Sequence, residues 1–261
     1  MNGHSDLKKG YSVVNGLNMY YEIRGHGKPL VLIHGGGSTI QTSFGNIIPF
    51  LSEKRQVIAL ELQAHGRTAD RKSSLTFAQD ANDVAQLLKY LNIQKADFLG
   101  FSNGGHTLIE LAMRHTQIIN KIILASTFYK RDAAVPAFWT GFDHVTLSVM
   151  PKALQDGFLA VNNNQTALQN MFDKDVQRMK AFEDWTDEQI RSIKSPTLIM
   201  NGNQDVGSIE HAVLMHRMIS NSELVILPGG HGQYLGTIES LENGEWTRSY
   251  AVGIIEEFLD K

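Results

Sequence analysis

The nine residues Ala96-Asp97-Phe98-Leu99-Gly100-Phe101-Ser102-Asn103-Gly104 join a short apolar run to a serine with a glycine two positions away on either side. The run at the start is typical of a buried strand, and a helical pattern begins near Gly105. Strand, Gly-x-Ser-x-Gly and helix in succession predict a sharp turn, where side chains larger than hydrogen would collide at the flanking positions. Such a turn would hold the Ser102 hydroxyl clear of the carboxyl edge of a sheet.

Further apolar runs of the same kind occur along the chain, and they predict strands buried on both faces. They are Leu30–His34, Gln56–Leu60, Lys121–Ala125, Thr197–Met200 and Leu224–Leu227. Between them lie stretches with helical spacing, marked by Val84, Leu87, Leu88 and Leu91, by Leu108, Leu111 and Ala112, and by Trp246, Tyr250, Ile254 and Phe258. Alternating strands and helices predict an α/β fold with a parallel, doubly wound sheet.

The start of the chain has a different pattern. Tyr11–Val14 and Met19–Ile23 alternate between apolar and polar residues, and Asn15-Gly16 lies between them. Asn-Gly is a strong signal for a two-residue hairpin turn. We therefore expect an antiparallel edge that leads into the parallel sheet.

The stretch 127–185 has no strand pattern, but it is rich in aromatic residues and methionine in helical segments. We interpret it as a helical cap inserted into a core domain formed by residues 1–126 and 186–261. Most of its aromatic side chains should pack the cap against the core, and the remainder should line an apolar site. Phe138 and Trp139 of the cap, with Gly37 and Phe101 of the core, are the predicted substrate-binding residues.

Composition excludes several classes of protein. The chain has 261 residues, 42% hydrophobic and 20% charged, which is typical of a globular protein. A net charge of -3 gives no basic field for nucleic acid, and no apolar run approaches the length of a membrane span. There is no cysteine, and no histidine–carboxylate cluster has metal-ligand spacing. We expect no metal, no cofactor, no membrane partner and, as no leader pattern is present, a cytoplasmic location.

A second glycine-rich turn, His34-Gly35-Gly36-Gly37, closes the strand at Leu30–His34. Its glycines would let the backbone approach a bound carbonyl closely, so that a main-chain N–H binds an oxyanion. Gly36 is the first choice for this donor and Gly37 the second. The N–H of Asn103, at the start of the helix after Ser102, is the expected partner. A phosphate-binding or merely flexible turn is the alternative interpretation.

A serine nucleophile needs a base, and the base needs a carboxylate to orient it. His231 stands out among ten histidines because it lies in Pro228-Gly229-Gly230-His231-Gly232, just past the last apolar run. Asp205 follows the run Thr197–Met200 in the same way. Glu210 and Glu61 are the rival acids. The chain order Ser, Asp, His is the order expected when a serine elbow sits in this type of sheet.

Together these motifs resemble the landmarks of the α/β-hydrolase superfamily along nearly the whole chain. The resemblance implies an eight-stranded, mostly parallel sheet with one antiparallel strand, and a helical lid over the site. Residues 61–68 are similar to the family's loop after its fourth strand, with one departure: Glu61 stands where Asp is usual. We expect only a local structural effect from this change.

These residues point to two-step acyl transfer, in which Ser102 attacks a carbonyl and His231 accepts its proton. We expect a carboxylesterase-like serine hydrolase acting on a small-molecule substrate that is uncharged and of small to medium size. The alternatives are a C–C bond hydrolase or a cofactor-free perhydrolase with the same triad, or a small-molecule receptor on a hydrolase fold. Physiological substrate and oligomeric state stay open.

Overall fold

The computed structural model describes residues 7–241 and 250–261. Its strands within these ranges are β1 (Lys8–Val14), β2 (Leu17–Arg24), β3 (Lys28–Ile33), β4 (Arg55–Leu60), β5 (Ala96–Phe101), β6 (Ile119–Ala125), β7 (Thr197–Gly202) and β8 (Ser222–Leu227). Its α-helices there are α1 (Ile40–Phe44), α2 (Ile48–Leu51), α3 (Phe77–Tyr90), α4 (Asn103–Arg114), α5 (Pro136–Thr140), α6 (Lys152–Val161), α7 (Gln165–Lys180), α8 (Asp187–Arg191), α9 (Ile209–Met218) and α10 (Tyr250–Asp260). Every apolar run singled out above falls on a strand.

The strands form one sheet in the order β1-β2-β4-β3-β5-β6-β7-β8. Strand β2 is antiparallel to both of its neighbours, and the other pairs are parallel. This confirms the predicted α/β-hydrolase fold, with an eight-stranded and mostly parallel sheet. The chain runs outward from β3 to β4 on one side and from β5 to β6 on the other, so the strand order reverses between β3 and β5. Such a switch point leaves a crevice at the carboxyl ends of the two strands.

The predicted edge hairpin is confirmed. Val14 pairs with Leu17, and the two residues between them, Asn15 and Gly16, have φ values of 47° and 78°. A tight hairpin turn requires positive φ at both central positions, which asparagine and glycine tolerate best.

Helices cover both faces of the sheet. In β3, Val31 and Ile33 pack with α3, α4 and α9, whereas Leu30 and Leu32 pack with α1, α2 and α10. The predicted apolar faces of α3 and α4 are buried in the first of these layers. Of the third predicted face, Trp246 lies outside the described residues, and the rest falls in α10. No helix in the part of the chain described here is long and apolar enough to cross a membrane.

Residues 127–185, all of which the structure describes, contain α5, α6 and α7 and no strand. Helices α6 and α7 share a small apolar cluster that includes Leu154, Phe158, Leu168 and Met171. The segment leaves and re-enters the core at nearly one place, since the Trp185 N–H donates to the carbonyl of Tyr129 at 3.0 Å. The cap boundaries themselves stay a prediction.

Glu61 is completely buried at the start of the loop after β4. Its carboxylate accepts a hydrogen bond from the backbone N–H of Arg67 at 2.6 Å and pairs with the Arg67 guanidinium at 2.7 Å. Glu61 thus stabilises the loop after β4 through Arg67, which is consistent with a local structural role.

Candidate active site

Ser102 occupies a strained turn at the end of β5. Its φ of 53° and ψ of -120° lie in a region that residues other than glycine rarely adopt. The flanking glycines are required for contact reasons. A Cβ on Gly100 would lie 2.4 Å from the carbonyl oxygen of Gly104, and one on Gly104 would lie 2.0 Å from that of Ile33. The predicted elbow is therefore present, and the nearest backbone leaves no room for side chains beside it.

Gly104→Ala should lower the free energy of unfolding by about 3 kcal/mol, because the rigid backbone of β3 cannot move away from the added methyl group. Urea unfolding followed by circular dichroism measures this change. The matched control is Gly253→Ala in α10, where an added Cβ meets nothing within 4 Å. That control should gain about 0.5–1 kcal/mol from helix propensity. Equal stability changes in the two variants would contradict the contact argument.

Ser102, His231 and Asp205 form one hydrogen-bonded chain. His231 Nε2 lies 3.0 Å from Ser102 Oγ, and His231 Nδ1 lies 2.6 Å from Asp205 Oδ1. The three residues follow β5, β8 and β7, so the parallel sheet brings its carboxyl ends together at this point. The geometry matches the nucleophile, base and orienting acid of an acyl-transfer site.

The Asp205 carboxylate is held by more groups than the sequence indicated. It accepts hydrogen bonds from Ser126 Oγ at 2.5 Å, from the Val206 N–H at 2.8 Å and from the Gly202 N–H at 3.1 Å. Burial alone raises the pKa of this carboxyl, but His231 and these donors more than offset it and lower the pKa from its ordinary value. Asp205 is therefore ionised and fixed in orientation at neutral pH.

The pKa of His231 is raised from its ordinary value of 6.5. Burial acts in the opposite direction, but the hydrogen bond and the negative charge of Asp205 outweigh it. Since a general base must be unprotonated, this places the active form of His231 at a higher pH than an unperturbed imidazole would.

The two predicted oxyanion donors, Gly36 and Asn103, line the same cavity as Ser102. Asn103 begins α4 directly after Ser102, and Gly36 lies in the loop after β3, on the other side of the crevice. Within the described residues, neither N–H donates to a protein acceptor. The Gly37 N–H, the second choice from sequence, donates to the Asp175 carboxylate at 2.6 Å. Gly36 and Asn103 thus remain the predicted oxyanion donors.

The triad opens into a cavity of about 290 Å³. From the core it is lined by Gly36, Gly37, Ser102, Asn103, His106, Val206 and His231. From the predicted cap it is lined by Phe128, Phe138, Phe142, Met150, Pro151, Leu154, Phe172, Asp175, Val176 and Met179. The walls are mainly apolar, and burial lowers the pKa of His106 to about 3, so its imidazole is neutral.

Two of the predicted substrate-binding residues do not line this cavity. Phe101 shares a sheet face with Leu99, and its ring packs against the His231 ring with 4.9 Å between centroids. The Trp139 indole N–H donates to the carbonyl of Arg131 at 2.7 Å, and the Arg131 guanidinium stacks on its ring. Phe101 thus packs against the ring of His231, and Trp139 packs within the predicted cap. Gly37 and Phe138 do line the cavity.

A larger groove of about 970 Å³ lies elsewhere, along α3 and the end of α4. Half of its lining residues carry amide side chains, and none of the triad residues lines it. Among residues 7–241 and 250–261, no group of three or more metal-ligating side chains is placed to hold an ion. Of these two pockets, only the smaller one is lined by residues of the triad.

A doubly wound sheet with a serine elbow at its switch point, faced by a histidine and a carboxylate from later strand ends, defines a hydrolase. The chain belongs to the α/β hydrolase fold family, whose sequence pattern matches residues 28–186.

Individual relatives differ in chemistry. The chain is 26% identical over 251 residues to the 2-hydroxy-6-oxo-6-(2'-aminophenyl)hexa-2,4-dienoic acid hydrolase of Metapseudomonas resinovorans, covering 87% of this chain and 86% of that protein. It is 27% identical over 167 residues to the pimeloyl-[acyl-carrier protein] methyl ester esterase of Vibrio atlanticus, covering 62% of each. A solved serine hydrolase involved in carbazole degradation superposes with a TM-score of 0.78 at 21% identity, covering 98% of this chain and 99% of that one.

Proposed function

We propose that this protein hydrolyses carboxylic esters of small to medium, uncharged substrates through an acyl-enzyme on Ser102. One observation carries the proposal: the continuous hydrogen-bonded chain from Asp205 through His231 to Ser102. Its Ser102 end lies in an apolar cavity that Gly36 and Asn103 also line, and the N–H groups of these two residues have no protein acceptor among the described residues. Apolar walls with a few convergent polar groups are typical of small-molecule sites.

In the first step, Ser102 Oγ attacks the ester carbonyl carbon while His231 Nε2 accepts the hydroxyl proton. The N–H groups of Gly36 and Asn103 bind the oxyanion of the tetrahedral intermediate. As the carbon–oxygen bond to the leaving group breaks, His231 donates its proton to the departing alkoxide, which leaves as the alcohol. In the second step water attacks the acyl carbon while His231 accepts its proton. The bond between the acyl carbon and Ser102 Oγ then breaks, His231 returns the proton to Ser102 Oγ, and the acid product leaves.

Asp205 acts through His231. By accepting a hydrogen bond from Nδ1–H, it keeps Nε2 free to take the serine proton, and its negative charge stabilises the imidazolium that forms. Ser126 in turn holds the second oxygen of Asp205, at 2.5 Å. The role of Ser126 is therefore to orient the acid.

The charge of the cavity supports an uncharged substrate. The lining includes the Asp175 carboxylate and the imidazoles of His106 and His231, and no lysine or arginine side chain among the described residues. A carboxylate on the substrate would lose its hydration without gaining a cationic partner, which is costly in an apolar site. A volume of about 290 Å³ also favours small substrates.

Hydrolysis of a carbon–carbon bond is the second candidate. It is favoured by similarity along most of the chain to the dienoic acid hydrolase of Metapseudomonas resinovorans. That relative acts on an acid, which is a carboxylate at neutral pH, and the cavity described here offers such a group no lysine or arginine. Hydrolysis of an uncharged ester therefore fits the charge of this cavity better than hydrolysis of a dienoic acid.

p-Nitrophenyl esters of graded acyl length test the proposal, with a matched pair that differs in charge. We expect kcat/KM for p-nitrophenyl pentanoate to exceed that for the p-nitrophenyl monoester of glutaric acid by at least about tenfold, because the second carboxylate stays unpaired. Release of p-nitrophenolate measures both rates. Equal rates would remove the charge argument. Turnover of a 2-hydroxy-6-oxo-hexa-2,4-dienoic acid without turnover of any ester would favour the second candidate.

A further inference from the structure

Asp175 lies on α7 of the predicted cap, yet its carboxylate reaches the loop that follows β3. Oδ2 accepts a hydrogen bond from the Gly37 N–H at 2.6 Å and lies 2.9 Å from His65 Nε2. Oδ1 pairs with Arg178, one turn further along α7. Asp175 therefore contacts the core directly beside the amide donors of the site, and it also lines the cavity.

The surrounding charges keep this carboxylate ionised. Burial by itself raises the pKa of Asp175, but Arg178 and His65 outweigh this effect and hold the pKa well below its usual range. Arg178 is anchored in turn by Asp80 of α3 at 2.8 Å, and the pKa of His65 is raised by Asp175. An ionised acceptor makes a stronger hydrogen bond to a backbone amide than a neutral one.

The hydrogen bond between Asp175 and the Gly37 N–H constrains the segment Gly35–Gly37, here called the oxyanion loop. Gly37 has a φ of +66°, a conformation that glycine adopts without strain, so the loop has little stiffness of its own there. Gly36 lies between the two flanking groups: an added Cβ would sit 2.5 Å from Asn103 Nδ2 and 3.4 Å from Asp175 Oδ2. With the Gly37 amide held by Asp175, the adjacent Gly36 peptide is fixed against the start of α4.

We propose that Asp175 is a positioning residue through which docking of the cap orders the oxyanion hole, by binding the Gly37 amide and so aiming the Gly36 amide at the reacting carbonyl. The inference rests on the acyl-transfer function proposed above. In this arrangement the cap does more than enclose substrate, because the donor pair is complete only when α7 is seated on the core.

Lys174, the neighbour of Asp175 on α7, provides a matched control. Its ammonium donates to Asp70 Oδ1 at 2.7 Å and to the carbonyls of Arg71 and Ser73 at 2.6 and 3.0 Å. These contacts dock the same helix on the loop after β4, and no contact of Lys174 reaches Gly37. Loss of Lys174 therefore removes one anchor of α7 and leaves the hydrogen bond between Asp175 and the Gly37 N–H in place.

The experiment compares Asp175→Ala, Asp175→Asn and Lys174→Ala in the full chain. We expect Asp175→Ala to lower kcat for p-nitrophenyl pentanoate by about 10²-fold with KM changed less than threefold, as for loss of an oxyanion donor. Affinity for phenylboronic acid, which forms a tetrahedral adduct with an active-site serine, should fall in parallel. Lys174→Ala should keep kcat within threefold. Asp175→Asn retains an acceptor oxygen and should recover kcat to within about tenfold of wild type.

Hydrogen–deuterium exchange of the peptide that contains Gly35–Gly37 gives a readout independent of turnover. Exchange should accelerate in Asp175→Ala and not in Lys174→Ala. If the wild type turns over esters but both alanine variants lose kcat equally, or if only KM changes in Asp175→Ala, the positioning role is overturned and the proposed function stands. If the wild type shows no Ser102-dependent turnover, the proposed function itself is overturned.

Discussion

Ser102→Ala should abolish ester turnover, with kcat lower by about 10⁶-fold, as expected when the nucleophile of a serine triad is removed. The substitution deletes only the Oγ that lies 3.0 Å from His231 Nε2, so the fold should persist. Release of p-nitrophenolate measures the rate, and circular dichroism with thermal melting checks the fold. Equal turnover by wild type and variant would end the case for a serine mechanism.

Ser126→Ala is the matched control for that substitution. Ser126 also follows a strand of the sheet and shares a φ of 53° with Ser102, but its hydroxyl contacts Asp205 rather than the cavity. Its loss should cost less than about 10²-fold in kcat, since the other donors still hold Asp205. The double variant Ser102→Ala/His231→Ala should be no slower than Ser102→Ala alone, because the two side chains act as a unit.

Asp205→Asn should reduce kcat by about 10⁴-fold, because an amide can donate to His231 Nδ1 and thereby select the wrong tautomer. It should also move the pH dependence. In the wild type, kcat/KM should fall as pH drops through a His231 pKa that lies above 6.5, since protonated imidazole cannot accept the serine proton. Without the charge of Asp205, burial dominates and lowers that pKa, so the acid limb should shift to lower pH.

Rate profiles between pH 5 and 9 measure both effects. Glu210→Gln is the control, as Glu210 is the rival acid from sequence and lies exposed in the first turn of α9. Its profile should match that of the wild type. An unshifted acid limb in Asp205→Asn would show that another group sets the pKa of the base.

The sheet could be predicted from sequence because its strands are buried on both faces. Residues Leu30 to Ile33 all have zero exposure, and a strand in that position must be a continuous apolar run. Ser102 could be predicted for a related reason: its turn is so crowded that Gly100 and Gly104 accept no side chain. Local steric requirements therefore determine the residue types of both the buried strand and the serine turn.

The positions of cap side chains could not be predicted in the same way. Whether Phe138 or Trp139 lines the cavity depends on how α5 packs against segments distant in sequence. The residues next to α5 in the chain do not indicate this packing. Phe101 could have been placed from strand alternation, as it shares a face with Leu99. Asp175 was missed although a signal exists: a carboxylate lies on the buried stripe of α7, four residues after Met171 and four before Met179.

The predicted cap leaves and rejoins the predicted core where Trp185 meets Tyr129, between the adjacent strands β6 and β7. An insertion with such a narrow base can be replaced during evolution without disturbing how the sheet is paired. Given the role proposed for Asp175, any replacement helix must supply an acceptor for the Gly37 N–H. Chimeras that graft a relative's cap onto this core should therefore gain substrate range only at a loss of rate, until a carboxylate is restored at the position of Asp175.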